Sequence, residues 1–485
     1  MSDAWAPFLE SDASGMVDAA LILVSVLTAG HVLLNKRSAR PAAMWVAICL
    51  LVPGAGALLY WMFGYNRIST RADALRAAWP SLREAAGAWA ARGGEGAADG
   101  VPEQLRDQAE VGARITGRAM LPGHSLHLLQ NAAEAYPPML EAIRSARARV
   151  YLSTYIFDRD ADGLAFVEAL GEAVERGVDV KVLVDGLGEW YSPRRVGSAL
   201  EAAGVSVQRF LPASIFPPSL YVNLRYHRKL LVVDGERAFT GGMNIGSRHR
   251  VEAGRGVRDL QFEVRGPVVA EIEMQFLEDW CFTTGEPPEG LLPPGPSEIA
   301  SEGNAWVRTV SSGPNEDLET VRWILLGAIS HARHSVRIMT PYFIAEAGLV
   351  AALNAAALRG VEVEIVLPEH NNLFYMNWAA NAQLWQILAF GVRVYRQRGP
   401  FNHTKLVLID DAYALVGSSN LDPRSLRLNF EFNLEVCGGD FIDEASEHYA
   451  EARAQAREIT LYELRVRPLW VRLRDATASL FSPYL

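Results

Sequence analysis

The chain has 485 residues, too long for a typical single domain; half are apolar and 21% are charged, which excludes a disordered chain. Its formal net charge of −10 argues against broad nucleic-acid binding, which needs a basic surface, while leaving room for a local basic cleft around a phosphate. The cysteines Cys49, Cys281 and Cys437 lie far apart and offer neither a disulfide framework nor metal-ligand spacing.

At the N-terminus, residues 19–34 ("AALILVSVLTAGHVLL") are almost wholly apolar, and residues 42–63 ("AAMWVAICLLVPGAGALLYWMF") carry no charge. At about 1.5 Å per residue, a helix of the second length reaches about 33 Å, enough for a bilayer core. Spans at about 16–35 and 42–63 are therefore predicted as a two-helix transmembrane hairpin within residues 1–66. Pro53, Gly54 and Gly56 are places for the second helix to bend, and Tyr60, Trp61 and Tyr65 suit the interface. A cleaved signal peptide is the competing reading of the first segment. It fails on Asp3, Glu10 and Asp12, with no Lys or Arg before the apolar run, and on the second span that follows at once. Lys36, Arg37 and Arg40 in the loop are balanced by Arg67, Arg71 and Arg76 beyond the second span, so charge alone sets no orientation. Residues 67–124 begin with Ala, Arg and Leu at mixed spacing and then break at "ARGGEGAADGVPEQ" (91–104), which reads as a juxtamembrane connector.

Beyond the connector the chain repeats itself. "AIRSARARVYLSTYIF" from Ala142 matches "AISHARHSVRIMTPYFI" from Ala328, and "RGVDVKVLV" from Arg176 matches "RGVEVEIVL" from Arg359. "AGVSVQRF" from Ala203 likewise matches "FGVRVYRQ" from Phe390. In each copy helical stretches alternate with β-branched runs, an α/β pattern. Both copies end alike, in "YHRKLLVVDGERAFTGGMN" (226–244) and "NHTKLVLIDDAYALVGSSN" (402–420). His227, Lys229, Asp234, Gly241 and Asn244 thus align with His403, Lys405, Asp410, Gly417 and Asn420.

On a strand, residues two apart share a face, so each His points the same way as its Lys. The runs "LLVV" and "LVLI" that follow read as buried strands. An imidazole beside an ammonium at the edge of a buried sheet suits an anion. Each Asp lies at an odd offset from its His, and Asp234-Gly235 is a hairpin-turn signal, so spacing gives Asp234 and Asp410 a turn-forming role. Gly241 and Gly417 permit close backbone approach, and Asn244 and Asn420 can donate to a phosphoryl oxygen. Further on, "RDLQFEV" (258–264) and "NFEFNLEV" (429–436) alternate as half-buried strands do. Asp259 or Glu431 on such a strand can fix an imidazole tautomer and stabilise its cation; the competing reading of these acids is a polar, solvent-facing edge. The other histidines (His31, His124, His127, His249, His331, His334, His370 and His448) lack a partner pattern and read as structural.

Two such lobes would set both histidines on one phosphodiester: one attacks phosphorus to form a phosphohistidine, the other protonates the leaving alcohol and later deprotonates the acceptor. This chemistry requires no metal or other cofactor.

The doubled His-x-Lys-x4-Asp motif resembles the phospholipase D superfamily over roughly residues 125–470. Closer still is the similarity to bacterial cardiolipin synthases, through the N-terminal hairpin, "YWMFGYNR" (60–67), "HRKLLVVDG" (227–235), "FLEDW" (276–280) and "FNHTK" (401–405). The resemblance implies an α/β fold of two tandem phospholipase D-like α/β/α lobes, at 125–290 and 305–475, preceded by the hairpin. It implies that two phosphatidylglycerol molecules are joined into cardiolipin with release of glycerol, without cofactor, at a bacterial inner membrane with the lobes facing the cytoplasm. It marks His227, Lys229, Asp234, His403, Lys405 and Asp410 as the catalytic motif, with His227 the nucleophile and His403 the acid/base; Asn244, Asn420, Asp259 and Glu431 are expected around the substrate. A Trp expected shortly before Asp259 is absent, Gly256 and Val257 standing there. The alternatives are a phospholipase D-type hydrolase, a transphosphatidylase using another alcohol, and a non-catalytic scaffold. The acidic charge and the hairpin count against a nuclease, and two intact motifs count against a scaffold. Ile215, Phe216, Leu220 and Tyr221 are read equally as an acyl-chain entrance or as ordinary core.

Overall fold

The computed structural model describes residues 6–36, 39–64, 100–192, 194–212, 224–252, 254–286, 292–313 and 319–482. Ile215, Phe216, Leu220, Tyr221 and Tyr65 lie outside them, as do residues 67–99 of the predicted connector. The chain divides into two units, one N-terminal and one that holds the β-sheet.

In the N-terminal unit one helix runs Ala6–Asn35, and its Gly15–Asn35 stretch is long and apolar enough to cross a membrane. The expected second span is not one continuous helix. It is a helix at Ala39–Leu51, a short one at Ala55–Leu59 and a π-turn at Tyr60–Gly64. Among the described residues only the first segment passes as a spanning helix by length. The break has a local cause: Pro53 lacks an N–H, and Gly54 takes φ 79° and donates its N–H to Ser25 Oγ (2.9 Å) instead of to the helix ladder. Trp61 Nε1 to Thr28 Oγ1 (3.3 Å) and His31 Nδ1 with Tyr60 OH (3.0 Å) fasten the later pieces to the first helix, and His31 is thus a packing residue.

The sheet unit repeats in the way the sequence does. The first half carries β1 (Leu121–Gln130), β2 (Arg149–Thr154), β3 (Asp179–Asp185), β4 (Ser206–Phe210), β5 (Leu230–Val233), β6 (Arg237–Gly241), β7 (Val257–Arg258) and β8 (Leu260–Arg265). The second carries β9 (Ala305–Ser312), β10 (Ser335–Met339), β11 (Glu362–Pro368), β12 (Arg393–Gln397), β13 (Phe401–Asn402), β14 (Leu406–Ile409), β15 (Tyr413–Gly417), β16 (Glu431–Cys437) and β17 (Ala456–Ile459). Among the described residues, fifteen strands form one sheet in the order β17-β12-β11-β10-β14-β15-β16-β9-β1-β8-β6-β5-β2-β3-β4. Read outward from the β9–β1 junction, either side gives the same sequence of seven equivalent strands, with β17 added at the outer edge of the second half, so the halves are related by a pseudo-two-fold. β2, β3 and β4 pair in parallel through helical crossovers, while β5, β6 and β8 run antiparallel.

The repeated Arg-Gly-Val has a physical basis in both halves. Gly177 (φ 84°) and Gly360 (φ 91°) end the crossover helices in the left-handed region. Arg176 donates to the carbonyls of Ile143 (3.0 Å) and Ala146 (3.5 Å), and Arg359 to those of Ile329 (3.3 Å) and Ala332 (3.2 Å), capping the preceding helix. Each half has its own apolar core between helices and sheet: Ile143, Phe166, Leu170 and Val182 in the first, Ile324, Leu353, Ile365 and Val394 in the second. The helix Arg106–Thr116, within the predicted connector, lies on the second half, where Arg308 Nη1 donates to Ala109 O (2.8 Å) and Gln108 Nε2 to Glu435 Oε1 (2.9 Å).

Candidate active site

Just before β5 and β14 the chain leaves its own half and pairs with the other. Tyr226 bridges Phe430 in parallel, and His227 N donates to Phe430 O (2.9 Å). Likewise β13 pairs with β7, and His403 N donates to Arg258 O (2.7 Å). Each histidine is therefore fastened beside the residue that precedes the other half's acid, and the side chains cross over. His227 Nδ1 bonds Glu431 Oε2 at 2.8 Å, and His403 Nδ1 bonds Asp259 Oδ2 at 2.7 Å. The imidazole centroids stand 6.5 Å apart at 77°. Glu431 is fully buried and Asp259 nearly so, so neither is the solvent-facing edge that strand alternation alone allowed.

Lys229 Nζ donates to His227 O (2.8 Å); Lys405 Nζ contacts His403 O and lies 2.8 Å from His403 Nδ1. Both ammoniums are buried beside their histidines. Tyr155 flanks His227 at 5.2 Å between rings, while Phe401 and Tyr342 flank His403 at 5.8 and 6.2 Å. Asn244 Oδ1 accepts from Ile156 N (3.1 Å), which fixes its amide and leaves the NH2 as donor. Asn420 is buried, and its Oδ1 has no partner among the described residues.

The two motif aspartates sit elsewhere, at the far ends of β5 and β14. Asp234 accepts from the backbone N–H groups of Arg147, Ala148 and Arg149 at 2.8–2.9 Å. Asp410 accepts from Arg333, His334 and Ser335 at 2.7–2.8 Å. Asp234 (φ 53°) with Gly235 (φ 73°), and Asp410 (φ 52°) with Asp411 (φ 49°), have the positive φ that a primed hairpin turn requires. These carboxylates join the turn to the incoming strand and do not meet the imidazoles.

Two glycines make the close packing possible. A Cβ on Gly241 would meet Leu260 O at 2.5 Å, and one on Gly417 would meet Phe432 O at 2.3 Å. The next residue differs between halves. Gly242 leaves room for the Asp259 carboxylate, which a Cβ would meet at 2.3 Å, whereas Ser418 donates its hydroxyl to Glu431 Oε2 at 2.5 Å. Asn429 Nδ2 adds a second donor to Glu431 (3.1 Å).

Burial and the neighbouring ammoniums push both imidazoles toward the neutral form, His227 well below the usual value and His403 to about 4. Burial likewise lowers Lys229 to about 7 and Lys405 to about 8. The carboxyls diverge. Burial raises Glu431 to about 7 despite Lys229. Burial opposes the charge on Asp259 too, but Lys405 and His403 outweigh it and hold that carboxyl below its ordinary value.

A family profile described as "Cardiolipin synthase, PLD-like domain" matches residues 139–280 and 325–453, one match in each half. "Cardiolipin synthase A" of Pseudomonas aeruginosa (strain LESB58) is 32% identical over 96% of this chain and 96% of its own. The chain belongs to the phospholipase D-like cardiolipin synthase family. "Major cardiolipin synthase ClsA" of Bacillus subtilis (strain 168) is 28% identical over 93% of this chain and 95% of its own. Residues 22–64 match the profile "Phospholipase D-nuclease N-terminal". The fold is similar to that of phosphatidylserine synthase from Haemophilus influenzae Rd KW20, with a TM-score of 0.61 at 17% identity, covering 78% of this chain and 100% of that one. As a family member the protein is a phosphatidyltransferase of phospholipids, and its apolar N-terminal helix accords with a membrane-associated cardiolipin synthase.

Residues that sequence reasoning passed over complete this synthase site. Arg228, buried between His227 and Lys229, ties the halves together: its Nη1 meets Asp279 of the "FLEDW" segment, its Nε donates to Glu431 O (3.2 Å) and its Nη2 to Ser311 Oγ (2.7 Å). Asp279 also accepts from Tyr226 OH (2.9 Å), and Asp185 accepts from Tyr226 N (2.7 Å). The "FLEDW" likeness covered Asp279 and the "HRKLLVVDG" likeness covered Arg228, which has Thr404 at its place in the second copy, but neither gave the residue's role.

Proposed function

We propose that the protein transfers a phosphatidyl group from one phosphatidylglycerol to the hydroxyl of another, giving cardiolipin and glycerol. The observation that carries this reading is the crossed pair of imidazoles, each bonded through Nδ1 to a buried carboxylate of the other half. With Nδ1 engaged, Nε2 is the nitrogen that meets phosphorus. Neutral His227 attacks the phosphodiester; the P–O bond to glycerol breaks, and His403, protonated once the anionic phosphate is bound, gives that oxygen its proton. The incoming hydroxyl then yields its proton to His403, its oxygen bonds phosphorus, and the P–N bond to His227 breaks. Lys229 and Lys405, with the amides of Asn244 and Asn420, offset charge on the non-bridging oxygens. Glu431 and Asp259 act on the imidazoles, fixing the tautomer and supporting the cation, so they are positioning residues. Asp234 and Asp410 hold the strands that deliver the motifs.

The same reading takes residues 1–66 as a membrane hairpin, 67–124 as a connector, and 125–290 and 305–475 as the two lobes, facing the cytoplasm from a bacterial inner membrane. The apolar segments and the repeat support it. Labelled phosphatidylglycerol supplied alone, with the lipids separated afterwards, tests the reaction. Cardiolipin with free glycerol is expected; phosphatidic acid alone would mean a hydrolase.

A further inference from the structure

The last long helix, Leu469–Leu480, is amphipathic the wrong way round for a helix of a folded domain. Successive residues turn by about 100°, so Leu469, Trp470, Leu473, Leu480 and the following Phe481 share one arc. These five side chains are between 57% and 72% exposed. The opposite face buries an acid. Asp475 is fully buried, where Arg467 Nη1 (2.6 Å) and Arg474 Nη2 (2.7 Å) clamp it. A helix that hides its carboxylate and displays Leu and Trp has its apolar face set aside for something other than this fold.

Charge names the partner. In a chain of net charge −10, residues 465–474 hold four arginines and no acid. On the helix, Arg472 and Arg474 border the apolar arc on its two sides. Arg465 and Arg472 are exposed, and neither has an acidic partner among the described residues. They line a groove of about 490 Å³ together with Leu469, Leu473 and Trp385. Apolar side chains beside the unpaired guanidiniums of Arg465 and Arg472 match a bilayer surface rich in anionic headgroups. The same element reaches the catalytic centre: Ala478 packs on the cluster of Tyr342, Met376 and Ala379, and Tyr342 lies 6.2 Å from His403.

We propose that the helix Leu469–Leu480 is a monotopic membrane contact, lying in the interface of an anionic bilayer and holding the second half of the active site at the lipid surface. It goes beyond the catalytic reading and rests on it only for the substrate being a bilayer lipid. Cys49, Cys281 and Cys437 are buried, so a single introduced thiol can carry a spin label. In full-length protein reconstituted into phosphatidylcholine–phosphatidylglycerol vesicles, a label on Leu473→Cys should collide more with oxygen than with a water-soluble nickel chelate. A label on Glu168→Cys, exposed on a first-half helix, should show the reverse order. Equal, water-like accessibility at both sites would overturn the proposal. So would shielding of the Leu473→Cys label from both probes, the signature of a protein partner or second copy. Replacing Trp470 and Leu473 together by Asp should lower cardiolipin formation in vesicles by about tenfold, with no change in mixed micelles; an equal loss in both would also overturn it. A label in the bilayer without cardiolipin formation would sink the catalytic reading alone; cardiolipin formation with the label in water would sink this inference alone.

Discussion

The half-sites around His227 and His403 are built from one spacing and end in different surroundings. His227 bonds Glu431, a carboxyl that burial raises to about 7 and that Ser418 and Asn429 supply with two further donors. His403 bonds Asp259, whose carboxyl stays below its ordinary value because Lys405 and His403 outweigh burial. The carboxylate more firmly ionised supports a cation better, so the Asp259 side suits the imidazole that must carry a proton. The Glu431 side suits the one that must stay neutral and attack. The two copies of one arrangement thus differ through Lys405 and His403, which outweigh burial at Asp259, while burial prevails at Glu431 despite Ser418 and Asn429; this difference supports the different tasks proposed for them.

The largest expected effect separates the two imidazoles. His227→Ala should abolish transfer whatever the leaving group. His403→Ala should lose about 10²–10⁴-fold with phosphatidylglycerol but recover when the leaving group needs no proton, as single-turnover rates with an activated phosphodiester will read. Next come the carboxylates. Asp259→Asn and Glu431→Gln should each cost about 10²–10⁴-fold by allowing the wrong tautomer. Superimposable pH–rate profiles for the two variants would break the asymmetry.

A finer test converts one half-site toward the other. Ser418→Gly removes a hydroxyl that lowers Glu431, so the carboxyl should rise further and the acidic limb of the pH–rate profile should move to higher pH, with a rate loss of about tenfold. Gly242→Ser cannot make the converse change, because its Cβ would collide with Asp259; it should lose activity at every pH.

Asp234→Ala and Asp410→Ala should behave alike. Each leaves three backbone N–H groups without their acceptor and should cost about 1–3 kcal/mol in denaturant unfolding, while kcat of the folded fraction changes little. A large kcat loss at full stability would return these acids to the chemistry. The smallest effect is in protons. Folding lowers Lys229 to about 7 and Lys405 to about 8 from the usual 10.5. The unfolded chain therefore holds more protons in that window, and the stability of the empty protein falls as pH drops from 10.5 through 8 toward 7. A bound phosphodiester favours both ammoniums, so binding near pH 8 should take up protons, measurable by calorimetry in buffers of different ionisation enthalpy. Release of protons would contradict the assignment.

The repeat, the buried strands after each His-x-Lys and the turn-forming aspartates were legible because they rest on local periodicity and turn chemistry. The crossing of acid and imidazole between halves was not. His227 and Glu431 are 204 positions apart, and strand alternation says which face a carboxylate takes but not which chain pairs alongside. Arg228 was hidden for the same reason, since its partners Asp279, Ser311 and Glu431 converge only when the halves meet. In the second N-terminal segment Pro53, Gly54 and Gly56 marked the place of a bend, but uniform apolarity did not show that the helix breaks there into separate pieces.

The most direct test of the division of labour is to locate the covalent intermediate. Labelled phosphatidylglycerol, rapid alkaline quench and peptide mapping should find the phosphoryl group on His227, in wild type and, with an activated leaving group, in His403→Ala. A label on His403 would reverse the roles of the two half-sites, and a label on neither, during active turnover, would contradict the phosphohistidine route.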